Sequence, residues 1–213
     1  MDVQFYGNDD TNLHCVQATF CMILSKLLPK KQFTMQELVK LSDVGEGEAT
    51  WPSRLLIELD KLGLEVHMIE GFDGNDFIDR GEKYLCDTFG AETADWQVAH
   101  SNIEKEQRDY KELLASDVIV KNIIPTMNDI RRYLNDGYMV RCTVNSRKLA
   151  GDDGYVGHSV LVLSVSDDEV ILHNPGLPPV PYQHVDLGTF ESAWADPNDQ
   201  AKEMIAVRMK PIA

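Results

Sequence analysis

Closely spaced cysteines are absent from this 213-residue sequence: its four, Cys15, Cys21, Cys86 and Cys142, form no Cys-x-x-Cys pair. That argues against a zinc ribbon or a redox dithiol, both of which need neighbouring thiols. Basic residues are scarce as well, 20 Lys and Arg against 35 Asp and Glu, for a formal charge of −15. A field of that sign repels nucleic acid and anionic lipid, so no nucleic acid and no membrane is expected as a partner. Long apolar runs are missing too, and no stretch approaches the roughly 20 residues of a membrane span. The polar start, through Asp2, Gln4 and the Asn8-Asp9-Asp10 run, does not read as a signal peptide, which leads us to expect a cytoplasmic chain. We find no phosphate-binding P-loop, internal repeat or low-complexity tract.

What is present is enough for one core. With 43% hydrophobic residues the chain reads as a single domain, 1–213, carrying an acidic helical insertion at about 72–121. One helix is expected from Cys15 to about Leu28, stopped by Pro29, which cannot continue the hydrogen-bond ladder. Thr34-Met35-Gln36-Glu37 fits a capping box for a second. A third starts at Trp51-Pro52, turns Leu55, Leu56 and Leu59 inward and ends at Gly63. Leu64 to Ile69 then reads as a strand. From Gly71 to about Lys121 the pattern is mixed and helical, including Ile78–Phe89 and Ile103–Ala115, with acidic clusters on a solvated face.

Order resumes where Thr126 and Asp129 cap a helix through Leu134, ended by Gly137. Tyr138–Val144, Tyr155–Val165 and Val170–His173 read as strands, the last two joined by a turn over 166–169. Residues 177–181 should be irregular, because proline donates no ladder bond. A short helix over Thr189–Trp194 and a strand over Met204–Met209 close the order. Helices first and antiparallel strands second predict an α+β fold, a helical half packed on a sheet half.

Three residues in this frame carry chemistry. Cys15 opens a helix, where amide dipoles lower a thiol's pKa. His158 begins one strand and Asn174 ends the next, as a base and its orienter would; asparagine fills the third place in known Cys-His-Asn sites. Cys21 and Cys142 sit in apolar periodic contexts and read as core. His173 should lie on the other strand face from Asn174, structural or exposed. His14 is no chelating pair with Cys15 without further ligands, and the Asn8-Asp9-Asp10 run lacks the spaced acids and terminal glutamate of a calcium loop. No metal and no cofactor is expected.

The block Cys15-x-x-Ala18-Thr19-Phe20-x-Met22-Ile23-Leu24 resembles the nucleophile helix of papain-like cysteine peptidases of the bacteriocin-leader, double-glycine type (peptidase C39-like). In that family a histidine opens a strand and an Asp-Pro follows 16 positions later; His158 and Asn174-Pro175 keep that spacing. Thr126 to Tyr138 resembles the helix before the histidine strand, and Val185-Asp186-x-x-x-Phe190-x-x-x-Trp194 resembles the closing helix. The resemblance spans about residues 1–70 and 122–213. It implies a papain-like fold, a thiol peptidase activity through Cys15, His158 and Asn174, and a peptide or protein substrate, here without the transporter that usually accompanies leader processing. Three positions differ from the family: Val16 replaces a glycine, Asn174 an aspartate, and Asp9 stands where a glutamine donates to the oxyanion. With one inserted residue that role passes to Asn8, whose amide is a competent though shorter donor. Three activities stay open on these residues: hydrolysis, acyl or glutamyl transfer to an amine, and binding without turnover.

Overall fold

Seven strands form one sheet in the computed structural model, which describes residues 2–211. They are β1 Leu64–Glu70, β2 Ile119–Asn122, β3 Met139–Asn145, β4 Gly157–Val165, β5 Glu169–Asn174, β6 Val180–Asp186 and β7 Glu203–Met209. Their order is β2-β1-β7-β3-β4-β5-β6. Every neighbouring pair is antiparallel except β1 with β2.

The central strands are apolar on both faces because both faces are covered. Alternate residues of β4 and β7 serve opposite sides. Leu161, Leu163, Ile205 and Val207 join the cluster containing Phe20, Met22 and Leu55. Val160, Val162, Met204 and Ala206 join a second cluster with Ile130, Phe190 and Trp194. Helices α1 Cys15–Leu27, α2 Met35–Ser42 and α3 Ser53–Lys61 cover the first face. Helices α8 Met127–Asn135 and α10 Leu187–Trp194 cover the second. The first helix is nearly all interior: every residue from Val16 to Leu24 is buried. Each large apolar side chain buried there contributes roughly 1.5–3 kcal/mol.

Both expected capping boxes form, Thr34 with Glu37 and Thr126 with Asp129, each hydroxyl accepting from the backbone N–H three residues on. The segment 72–121 carries α4 Gly74–Arg80, α5 Glu82–Phe89, α6 Ala91–His100 and α7 Ile103–Leu114, followed by β2. The helix expected over Ile78–Phe89 is broken at Gly81, whose φ of 51° no ordinary helix residue adopts. Three further elements depart from the periodicity. The edge strand β2 has only Ile119 and Val120 as strand formers. α9 Ser146–Ala150 is a single turn. β6 runs through Pro181, tolerated because β6 is an edge strand and its register with β5 shifts between Leu172 and Asn174. Among the described residues no helix is long and apolar enough to cross a membrane.

Candidate active site

Cys15 is the first residue of α1, after His14. The first bond of the helix runs from Ala18 N–H to His14 O at 2.9 Å, so the N–H groups of Cys15, Val16 and Gln17 have no intrahelical acceptor. Their dipoles converge on the thiol. No side chain of His14 caps the helix. Instead Asn8 Oδ1 accepts from His14 N–H at 3.0 Å and from Asp9 N–H at 3.0 Å, pinning the loop that leads into Cys15.

His158 is the second residue of β4 and is buried. Its Nε2 lies 2.8 Å from Asn174 Oδ1. The N–H of Gly176 also donates to that oxygen at 2.9 Å, while Asn174 Nδ2 donates to Gln183 Oε1 on β6 at 2.8 Å. An atom that accepts from a backbone N–H is the amide oxygen, so Nε2 of His158 carries the proton facing it. That leaves Nδ1 free to face the thiol, and each group acts on the titration of the other. A side chain on residue 176 would press on this pair: a Cβ there would stand 2.9 Å from Asn174 Oδ1 and 3.4 Å from His158 Nε2.

Opposed effects act on the pair. Burial pushes the Cys15 thiol up, but the hydrogen bond and charge of His158, the Ser159 backbone and Arg141 outweigh it, and the thiol lies below its ordinary value. Burial pushes His158 down, and Cys15 and Asn174 together hold it above its ordinary value. A depressed thiol beside an elevated imidazole favours thiolate with imidazolium. The other interior thiols move the opposite way: burial pushes Cys21 up to about 11 and Cys142 higher still.

Behind the pair lies a polar network that inspection of the sequence did not single out. Ser159 Oγ meets Thr19 Oγ1 at 2.8 Å and accepts from Arg141 Nε at 2.8 Å. Arg141 also donates to Glu203 Oε1 at 2.5 Å and to Thr143 Oγ1 at 2.8 Å. The cleft in front is lined by Cys15, His158 and Asn12, and walled by Trp51, Tyr155 and residues of the 72–121 segment, among them Phe72, Phe89, Trp96 and Tyr110. Of that segment's acidic residues Asp79, Glu82, Asp87 and Glu92 are exposed, whereas Glu106 and Asp109 of α7 are buried, against the expectation of a wholly solvated acidic face. The segment's apolar face turns to the cleft.

Asn8 has one amide hydrogen committed to Asn12 Oδ1, at 3.0 Å, and its own N–H donates to Pro175 O at 2.8 Å, next to Asn174. Asp9 is half exposed and pairs with His14 Nδ1 at 2.5 Å. Partial burial raises its carboxyl, and hydrogen bonds from Thr11 and His14 more than reverse that. His173 is fully buried, Nε2 at 3.3 Å from Val3 O and Nδ1 accepting from Tyr182 N–H at 3.1 Å. Its role is structural. Among the described residues no three His, Cys, Asp or Glu side chains gather as a metal site.

Compared with solved structures, the chain is similar to the peptidase domain of Streptococcus ComA, a bi-functional ABC transporter involved in a quorum-sensing pathway. The match covers 97% of this chain and 98% of that one, with a TM-score of 0.56 and 12% sequence identity. The likeness is one of fold: an α+β, papain-like arrangement with helices ahead of the sheet. Comparison with protein-family models and with curated proteins gives no match.

Proposed function

We propose that this protein is a thiol-dependent hydrolase, a peptidase that cleaves a peptide or amide bond through Cys15, His158 and Asn174. The observation that carries the reading is the hydrogen bond from His158 to Asn174, together with the mutual pull of the imidazole and a thiol at the start of α1. The Cys15 thiolate attacks the carbonyl carbon, and the carbonyl electron pair moves to oxygen. His158 Nδ1–H then protonates the departing amine as the tetrahedral species collapses to a thioester. Water enters, gives a proton back to His158, and displaces the thiolate to release the acid. Asn174 keeps the imidazole in the tautomer that makes both transfers possible.

The developing oxyanion needs donors, and two are at hand in this reading: the free N–H of Cys15 and the uncommitted hydrogen of Asn8 Nδ2. Asn8 is supported for the role by its two anchors, His14 N–H on one side and Pro175 O on the other. The test is hydrolysis of a diverse peptide library followed by mass spectrometry, with Cys15→Ala as control. Cleavage lost in a folded Cys15→Ala protein supports the reading. Products joined to an added amine would assign acyl transfer instead, and no turnover with an unreactive Cys15 would leave a binding module.

A further inference from the structure

Four polar residues cross the sheet in a row where core would be expected. Register sets Glu70 of β1 opposite Glu203 of β7, Glu203 opposite Thr143 of β3, and Thr143 opposite Ser159 of β4. Paired residues share a face, so all four side chains stand on the side covered by α1, α2 and α3, and all four line the cleft that holds Cys15 and His158. Two residues further along β1 and β7 the same face is apolar, at Met68 and Ile205.

The charges in this row do not balance. Arg141 spends its donors on Glu203, Thr143 and Ser159. Glu70 is 3% exposed, and among the described residues it has no cationic partner, its side chain accepting only from the Tyr110 hydroxyl. A buried carboxylate without a cation is held as the neutral acid. Burial, and then the charge of Glu203, push Glu70 well above the usual carboxylate range. An unpartnered hydroxyl faces the same cleft. Ser53 Oγ, in a residue 1% exposed at the start of α3, has no hydrogen-bond partner among the described residues. Buried hydroxyls are rarely left so. The walls around them include the rings of Trp51 and Phe72, and aromatic faces attract cations.

We infer that this end of the cleft is a subsite for a primary ammonium group of the substrate, with Glu70 as its counter-ion and Ser53 Oγ as a further polar partner. The inference deepens the peptidase reading and rests on it: the ammonium selects which peptide places a carbonyl at Cys15. From Ser159 to Glu70 is three strand spacings, about 14 Å, the span of roughly four extended residues or fewer when a long side chain carries the charge. A lysine side chain and a free peptide N-terminus share this chemistry. Binding of either expels the Glu70 proton. The charged or titratable groups around Glu70 are Glu203 on β7, Arg141 on β3, Tyr84 on α5 and Tyr110 on α7.

The experiment is calorimetric titration of the Cys15→Ala protein, which binds without turnover, at pH 7. Three probes are used: acetyl-Lys-Ala-Ala-amide, its norleucine counterpart, and Ala-Ala-Ala-amide with a free N-terminus. We expect at least tenfold tighter binding of one or both ammonium peptides than of the norleucine peptide, and which of them binds identifies the source of the charge. Repeating the titration in two buffers of different ionisation enthalpy should show close to one proton released per ammonium peptide bound and none for norleucine. In Glu70→Gln the preference should vanish. If that variant fails to fold, the proton count on unaltered Glu70 decides. Equal affinities for all three peptides, no binding by any of them, or ammonium binding without proton release overturns the subsite. Ammonium binding to Cys15→Ala, with no cleavage by the unaltered protein, would instead remove the peptidase reading and leave the subsite standing.

Discussion

Between Cys15 and His158 one proton is contested, and the direction of the contest is measurable. The thiol is depressed and the imidazole elevated, so both shifts favour the ion pair over the neutral pair. Hydrolysis should therefore follow a bell-shaped pH profile in kcat/KM. Its acid limb reports Cys15 losing a proton below the ordinary thiol value, and its alkaline limb reports His158 losing one above the ordinary imidazole value. In a Cys86→Ser background, iodoacetamide at pH 6 should label Cys15 well before Cys21 or Cys142, whose burial pushes them up. Peptide mapping over time checks this, and equal slow labelling of the three would contradict it. Asn174→Ala removes one hydrogen bond to a charged imidazole, worth about 1.5–3 kcal/mol, and should lower kcat/KM by roughly 10- to 150-fold. Asn174→Asp should recover most of that loss, because a carboxylate accepts the same bond and stabilises imidazolium.

Asn8 needs a sharper test, since it also ties the loop before α1 to His14 and Pro175. If its Nδ2 serves the oxyanion, Asn8→Ala should cost about 2.7–4 kcal/mol of transition-state stabilisation, seen in kcat with KM little changed. A purely structural residue would lower Tm and leave kcat per folded molecule intact. Asp9→Ala should be near neutral for kcat, as the Asp9–His14 pair is half exposed.

At the scale of elements, the fit of α4 against α7 depends on a missing side chain. A Cβ on Gly74 would run into the Tyr110 ring, and Tyr110 in turn donates to Glu70. Gly74→Ala should therefore destabilise the protein by about 1–3 kcal/mol through overpacking, even though alanine is the better helix former. Denaturant unfolding reads the change; a neutral or stabilised variant would show that α4 can slide away from α7. By contrast Thr126→Ala removes a solvent-side cap of α8 and should cost about 0.5–2 kcal/mol without touching activity.

For the whole molecule the dominant quantity is the charge of −15. Its field concentrates cationic peptides around the protein over roughly a Debye length and repels acidic ones. For lysine-containing substrates kcat/KM should fall as sodium chloride rises from 20 to 200 mM (about 22 to 7 Å of screening length), whereas for uncharged peptides it should hardly change. Stopped assays over a salt series decide between the two. An equal decline for both would point to salt acting on the fold rather than on encounter.

Local pattern carried the helix opened by Cys15, the two capping boxes and the hairpin strands that bear His158 and Asn174, because each depends on neighbours within a few turns or on one hairpin. Strands β2 and β6 were not legible in that way. β2 is four residues held by β1, and β6 keeps Pro181 only because nothing pairs with its outer edge. The cross-sheet row was equally hidden. Glu70, Arg141 and Glu203 are scattered along the chain, and an isolated acid in a strand has no periodicity to betray it. They meet because β7 inserts between β1 and β3, a pairing set by long-range strand order and register. The same holds for the cleft wall. The sequence by itself determined which residues could act as thiol, base and orienter, since that chemistry is written in residue type and spacing. Only the tertiary structure decided what stands around them, because burial and the pairing of charges are properties of surfaces that come together from distant segments.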